Sequence, residues 1–239
     1  MAKFGRWIAG GLGWAFFGPI GGILGFALGS MFEIPENKTQ TEGYASTTIG
    51  SFAMSLLVLV AAVMKADGKI MKSELDYVKE YFKKNFGEES ASEAIKLLRD
   101  ILKQNIPVRE VSIQIKNNLD YSSRLQLLHL LFGISQSDGR VDKSEINTIE
   151  QIATFLGISF VDMQSIKSMF VDDVDSAYKI LEIDSSVSDT EVKKAYRKMA
   201  MKYHPDKVSH LGEEFKNSAK EKFQKVGDAY NKIKKQRDL

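Results

Sequence analysis

The sequence predicts an all-α fold in three parts, and three observations predict it. A helix, an Asp-Gly turn and a second helix occur twice in the middle of the chain, 71 residues apart. A capped basic helix, the tripeptide His204-Pro205-Asp206 and a long amphipathic helix fill the C-terminal third. Ahead of both lies a glycine-rich run, Trp7 to Phe32, with no charged residue. Length and composition agree with this outline. The 239 residues suit one or two domains with an appendage, at 44% hydrophobic and 27% charged residues. The net charge of +2 offers no bulk attraction for nucleic acid, so none is expected as a partner. There is no cysteine, which excludes disulfides, zinc ribbons and thiol catalysis. The 3 histidines, His129, His204 and His210, lack metal-ligand spacing, and no cofactor is expected.

The first part, residues 1–32, reads as a membrane anchor. An apolar stretch of about 20 residues spans a bilayer as a helix. Gly18 and Gly22 form one close-approach pair, and Gly21, Gly25 and Gly29 form a second series. Glycine faces of this kind let helices associate in lipid, which offers a route to a homodimer. The residues leave alternatives open: a soluble glycine-rich helix, a signal peptide cleaved after Gly29, or a re-entrant hairpin bent at Pro19. Residues 33–47 are polar and read as a linker. A second uncharged run follows, but its apolar part, Phe52 to Met64, is too short to span and reads as a buried core helix.

The second part covers residues 48–170. Asp67 and Glu74 repeat as Asp138 and Glu145, and the apolar positions around them repeat at the same offset. Leu57, Val60 and Val63 correspond to Leu128, Leu131 and Ile134. Two such hairpins can bury their apolar faces on one another. A calcium loop of the usual kind is excluded, because Val63, Lys65, Ile134 and Gln136 stand where oxygen ligands are required. Turn and cap chemistry explains the pattern better. Gly68 and Gly139 permit the turn, and Asp142 with Glu145 suits a capping box. Met71 stands at the cap position of the first copy, so no box is expected there.

The third part covers residues 175–239. Its first helix is short, SAYKILEI. Ser188 and Glu191 then make a capping box, with Val187 and Val192 as a hydrophobic staple. Val192, Tyr196, Met199 and Tyr203 fall on one face of the helix that follows; Lys193, Lys194, Arg197, Lys198 and Met201 fall on the other. Pro205 ends the helix near Tyr203. A final helix from about Gly212 to Lys235 carries the stripe Phe215, Ala219, Phe223, Val226, Tyr230 and Ile233. Two such helices should pack antiparallel and present His204, Pro205 and Asp206 in the loop at their tip.

The middle part resembles the TerB-like domain of tellurite-resistance proteins. That resemblance makes Asp67, Glu74, Asp138 and Glu145 metal candidates, which turn-and-cap structure outweighs. The stretches KAYRKMAMKYHPDK and KFQKVGDAYNKI are similar to the J-domain, the Hsp70 co-chaperone module. The resemblance implies that His204, Pro205 and Asp206, with Lys193, Lys194, Arg197 and Lys198, dock on a DnaK-type Hsp70 and trigger its ATP hydrolysis, the chain being no enzyme itself. Glu182 departs from the J-domain pattern, which has glycine there. A glycine-rich anchor, a TerB-like domain and a terminal J-domain together resemble the DjlA family of membrane-anchored bacterial co-chaperones. That family implies one helix in the inner membrane, an outer N-terminus, cytoplasmic domains and helix-linked dimerisation. Lys3 and Arg6 before the segment, with Glu33 and Glu36 after it, favour the opposite orientation. A hairpin at Pro19 would reconcile the two, leaving both ends inside. A different class of function, a membrane-associated stress or metal sensor with a secondary J-domain, is the alternative.

Overall fold

The computed structural model describes residues 18–23, 44–66, 68–137, 139, 142–171 and 175–237. Among the described residues there are helices and turns and no strand. The order is α1 (Tyr44–Met64), α2 (Lys72–Phe86), α3 (Glu88–Leu102), α4 (Val108–Asn118), α5 (Tyr121–Ser135), α6 (Lys143–Phe155) and α7 (Phe160–Lys167), then α8 (Ser176–Ile180), α9 (Asp189–Lys202), a 3₁₀ helix (Pro205–Leu211) and α10 (Glu213–Arg237).

Helix α1 explains the second uncharged run. Every residue from Phe52 to Met64 is buried. A helix apolar on all sides must be surrounded, and α1 packs against α3, α4, α5 and α6. Its repeat partner α5 is likewise buried from Leu125 to Ser135. No helix among the described residues is long and apolar enough to cross a membrane. The two helical hairpins turn through Gly68 (φ 76°) and Gly139 (φ 77°), backbone that a residue with a Cβ adopts only with strain.

Asp142 is a cap as expected, and the first copy differs from expectation. Asp142 caps α6 by accepting from the Ser144 amide at 2.7 Å. In the first copy, where Met71 was expected to leave the box absent, Glu74 still reaches back and accepts from the Met71 amide at 2.8 Å. The backbone half of the box needs only the glutamate, so an apolar residue at the cap does not abolish it.

The described part of the glycine-rich segment is a short helical turn. Ile20 and Ile23 are buried in the core, and the Ile20 amide donates to Gln114 of α4 at 3.1 Å. Gly18 lies against the Gln114 side chain, Gly21 is partly covered and Gly22 is exposed. Gly25 and Gly29 lie outside the described residues.

In the C-terminal part, Ser188 and Glu191 form the capping box, the Glu191 carboxylate accepting from the Ser188 amide at 2.9 Å. The Tyr196 ring stacks on Tyr230 at 4.3 Å, and His204 meets Phe223 edge to face at 5.7 Å. Later residues of α9 thus face earlier residues of α10, which makes the pair antiparallel. Arg237 fastens the end of α10 to the start of α9. Its guanidinium donates to Tyr178 Oη, the Val187 and Ser185 carbonyls and Asp189 at 2.6–3.1 Å. An Arg237→Ala variant should lower the melting temperature by a few degrees in calorimetry, because four bonds vanish together. An unchanged midpoint would show that water replaces them.

Candidate functional site: the His-Pro-Asp turn and its basic face

The chain turns sharply after Tyr203 because Pro205 disfavours helix at the preceding residue. His204 is extended (φ −60°, ψ 134°) and its Nδ1 accepts from the Asp206 amide at 3.3 Å. His204 thereby caps the 3₁₀ helix that starts at Pro205, where an open loop was expected. Val208 and Leu211 are buried, and that helix packs against α1, α5 and α10. The His204 side chain remains 50% exposed and that of Asp206 71% exposed, with 3.5 Å between Nδ1 and Oδ2. A proline-stiffened turn on an anchored 3₁₀ helix presents an imidazole and a carboxylate side by side. The carboxylate can take a charge-assisted bond from a partner's arginine or lysine.

Lys193, Lys194, Arg197 and Lys198 are all exposed along α9. The stripe Lys194, Lys198, Lys202 has a spacing of four, so it runs straight towards His204. Lys202 is not free. It pairs with Asp162 of α7 and with Glu182 at 2.5 Å, and Lys198 reaches Glu182 at 3.3 Å. Asp162 is almost covered, at 7% side-chain exposure, and Glu182 is at 4%. Burial pushes the Asp162 carboxyl upward, but bonds from Lys202, Tyr121 and Ser159 outweigh it and hold the group below the usual range. Glu182 itself adopts the left-handed region at φ 59°, the only non-glycine among the described residues to do so. The backbone geometry that suits a glycine is therefore retained here, and the side chain is bonded to two lysines.

Contacts from the helices before residue 171 hold this site in place. Ser165 Oγ donates to the Ile180 carbonyl at 2.9 Å, and His210 Nε2 lies 2.7 Å from Asp120, the N-cap of α5. Lys84 pairs with Glu221 at 3.1 Å. Ser122 and Leu125 of α5 share a narrow cleft with His204, Lys207, Val208 and Lys222. Lys222 is buried there, at 3% exposure, over the Tyr203 ring at 4.9 Å. Desolvation lowers its ammonium to about 7, despite opposing help from Asp162. Across the seam His129 is buried, and desolvation together with Lys222 and Lys225 keeps its imidazole well below its ordinary value.

All seven residues of the expected docking site therefore lie on one helix and the turn after it. Sequence reading missed Lys202, although it continues the lysine stripe. It also missed Asp162, whose pairing spans 40 residues and leaves no local signal. Glu74 is buried and serves as a cap, Glu145 is buried near the start of α6, and Asp67 and Asp138 lie outside the described residues. Among the described residues no group of three or more acidic or histidine side chains is placed to hold a metal.

Comparison with known proteins agrees with this division. The family model for tellurite resistance protein TerB matches residues 53–168, and that for the DnaJ domain matches residues 176–238. The co-chaperone protein DjlA of Vibrio vulnificus (strain CMCP6) is 29% identical over 226 residues, covering 78% of each chain. That of Coxiella burnetii (strain RSA 493 / Nine Mile phase I) is 22% identical over 272 residues, covering both chains completely. The chaperone protein DnaJ of Fusobacterium nucleatum subsp. nucleatum is 51% identical over 53 residues, 22% of this chain. No solved structure matches the chain. The chain thus carries a TerB domain followed by a C-terminal DnaJ domain and is similar over most of its length to the co-chaperone proteins DjlA.

Proposed function

We propose that this DnaJ-type co-chaperone docks on a DnaK-type Hsp70 and stimulates its ATP hydrolysis, working at the bacterial inner membrane with both domains on the cytoplasmic side. The observation that carries the reading is the exposed His204–Asp206 pair at the end of an exposed basic helix. Lys193, Lys194, Arg197 and Lys198 attract and orient an acidic partner surface. His204, Pro205 and Asp206 supply the directional contacts. The chain performs no chemistry itself; the hydrolysis belongs to the partner. Anchoring rests on the uncharged run from Trp7 to Phe32, whose glycines, Gly18, Gly21, Gly22, Gly25 and Gly29, also suit a homodimer in lipid. The TerB domain serves as a platform that fixes the DnaJ domain and recruits or senses.

The test is the single-turnover ATPase rate of a DnaK-type Hsp70 with the protein and with its His204→Gln variant. The wild type should accelerate the step, and the variant should lose at least 90% of that acceleration, roughly the effect of removing a binding hot spot. Equal acceleration by both would show that the turn is not the trigger.

A further inference from the structure

The middle of the glycine-rich run is folded onto the TerB domain. Gly18 precedes a helical turn, Pro19 to Ile23, and the Gly22 amide donates to the Gly18 carbonyl at 3.2 Å. Proline suits the first helical position, where an amide would have no partner. The next amide, that of Ile20, has no acceptor within the turn. Gln114 Oε1 of α4 supplies one at 3.1 Å. A Cβ on Gly18 would stand 2.7 Å from the Gln114 side-chain amide, so a larger residue there would push Gln114 off this bond. Ile20 (0%) and Ile23 (6%) are buried in the same apolar core as Val111 and Ile115 of α4.

This placement is incompatible with a position in lipid. As one helix, Trp7 to Phe32 would measure about 39 Å, and Ile20 would stand near the centre of a hydrocarbon layer about 30 Å thick. Helix α4 could not follow it there. Arg109, Glu110, Lys116, Asn117 and Asn118 are exposed on that helix, and charged side chains are costly at the bilayer centre. Lipid tails are as apolar as a protein core, so burial of Ile20 and Ile23 by itself favours neither place. The Gln114 bond weighs on the docked side, and a longer helix with its glycine faces weighs on the other.

We propose that the TerB domain carries a docking site for the Gly18–Ile23 turn, centred on Gln114, and that docking there and insertion in lipid are alternatives for this segment. The occupant is the chain's own segment, seated on that surface in this structure. The protein then has a docked form and a membrane-inserted form, and the TerB domain sets the balance between them. This rests on the anchoring reading above.

The chain's only 2 tryptophans, Trp7 and Trp14, both lie in the run. Their quenching by vesicles of brominated phosphatidylcholine and phosphatidylglycerol therefore reports insertion of the full chain. Wild type is compared with Gln114→Ala and with Gly18→Cys/Gln114→Cys, a pair that a short bis-maleimide can join because the chain has no other cysteine. Melting temperatures are checked, and the unjoined pair is the control. Gln114→Ala removes a bond from the docked form alone, so half-maximal quenching should need about 3- to 10-fold less lipid. The cysteine pair should join readily without lipid and, once joined, should lose most of the quenching. A lipid requirement unchanged in Gln114→Ala, or a pair that does not join in lipid-free protein, overturns the proposal. Joined protein that is quenched like wild type also overturns it and leaves the anchoring reading standing. A wild type that is not quenched at any lipid concentration overturns the anchoring reading and the alternation with it.

Discussion

Replacing Lys202 with methionine should cost about 3–5 kcal/mol of stability at neutral pH, the range for removing one partner of a buried charge group. The substitution would leave Asp162 and Glu182 as two nearly covered carboxylates with their shared cation gone. Lys198 cannot take over, because it reaches only Glu182 and its own side chain is 68% exposed. Urea unfolding of the two proteins measures the difference. A loss below about 1 kcal/mol would show that the group is solvated like a surface pair. The pH dependence has a definite sign. The Asp162 carboxyl lies below its usual value in the folded protein, so its contribution is present above the unfolded carboxylate range of about 4 and is lost as pH falls through the folded value. In the methionine variant that loss on the acid side should shrink, because protonating the carboxylate no longer breaks an ion pair.

Lys222→Met should act in the opposite direction. The groups facing Lys222 are mostly basic or neutral: Lys202, Lys207 and His204 in the cleft, His129 across the seam and the Tyr203 ring, with Asp162 as the one acid acting on it. Its ammonium sits near 7 in the folded protein against 10.5 when free. The unfolded chain therefore binds the extra proton between those values, and stability rises with pH across that window. The slope approaches 1.4 kcal/mol per pH unit, so from pH 7.5 to 9.5 the wild type should gain up to about 3 kcal/mol that Lys222→Met does not. The variant should be the more stable protein at pH 7.5, with the gap closing as pH rises. Parallel pH profiles would mean that Lys222 finds water or a counter-charge in the seam. Because the cleft around Lys222 includes Ser122 and Leu125 of α5, the same measurement by hydrogen exchange at α5 and α10 reports how firmly the two domains hold together.

Local rules made much of the fold legible. The offset repeat announced α1–α2 and α5–α6, since a helix pair needs its apolar spacing and a turn glycine whatever lies around it. The Ser188–Glu191 box, the stop at Tyr203 and the Tyr196 and Tyr230 faces are likewise properties of short segments. The uncharged run ending at Met64 could be assigned to the core because its apolar part is shorter than a bilayer requires. Reading ran out where neighbours decide. Met71 does not predict that Glu74 will close half a box alone. Pro205 predicts a break, whereas the 3₁₀ helix after it depends on burying Val208 and Leu211 against neighbouring helices.

By itself the sequence determined which helices form and which residues stand together on α9 and its turn, because 3.6-residue periodicity and proline geometry act over a few residues. Only the tertiary structure decided that Asp162 and Glu182 hold Lys202 and that Lys222 is buried in a cleft shared with Ser122 and Leu125 of α5. Those outcomes depend on desolvation and charge pairing between segments far apart in the chain. Their strength is set by distance and burial, which no local pattern encodes.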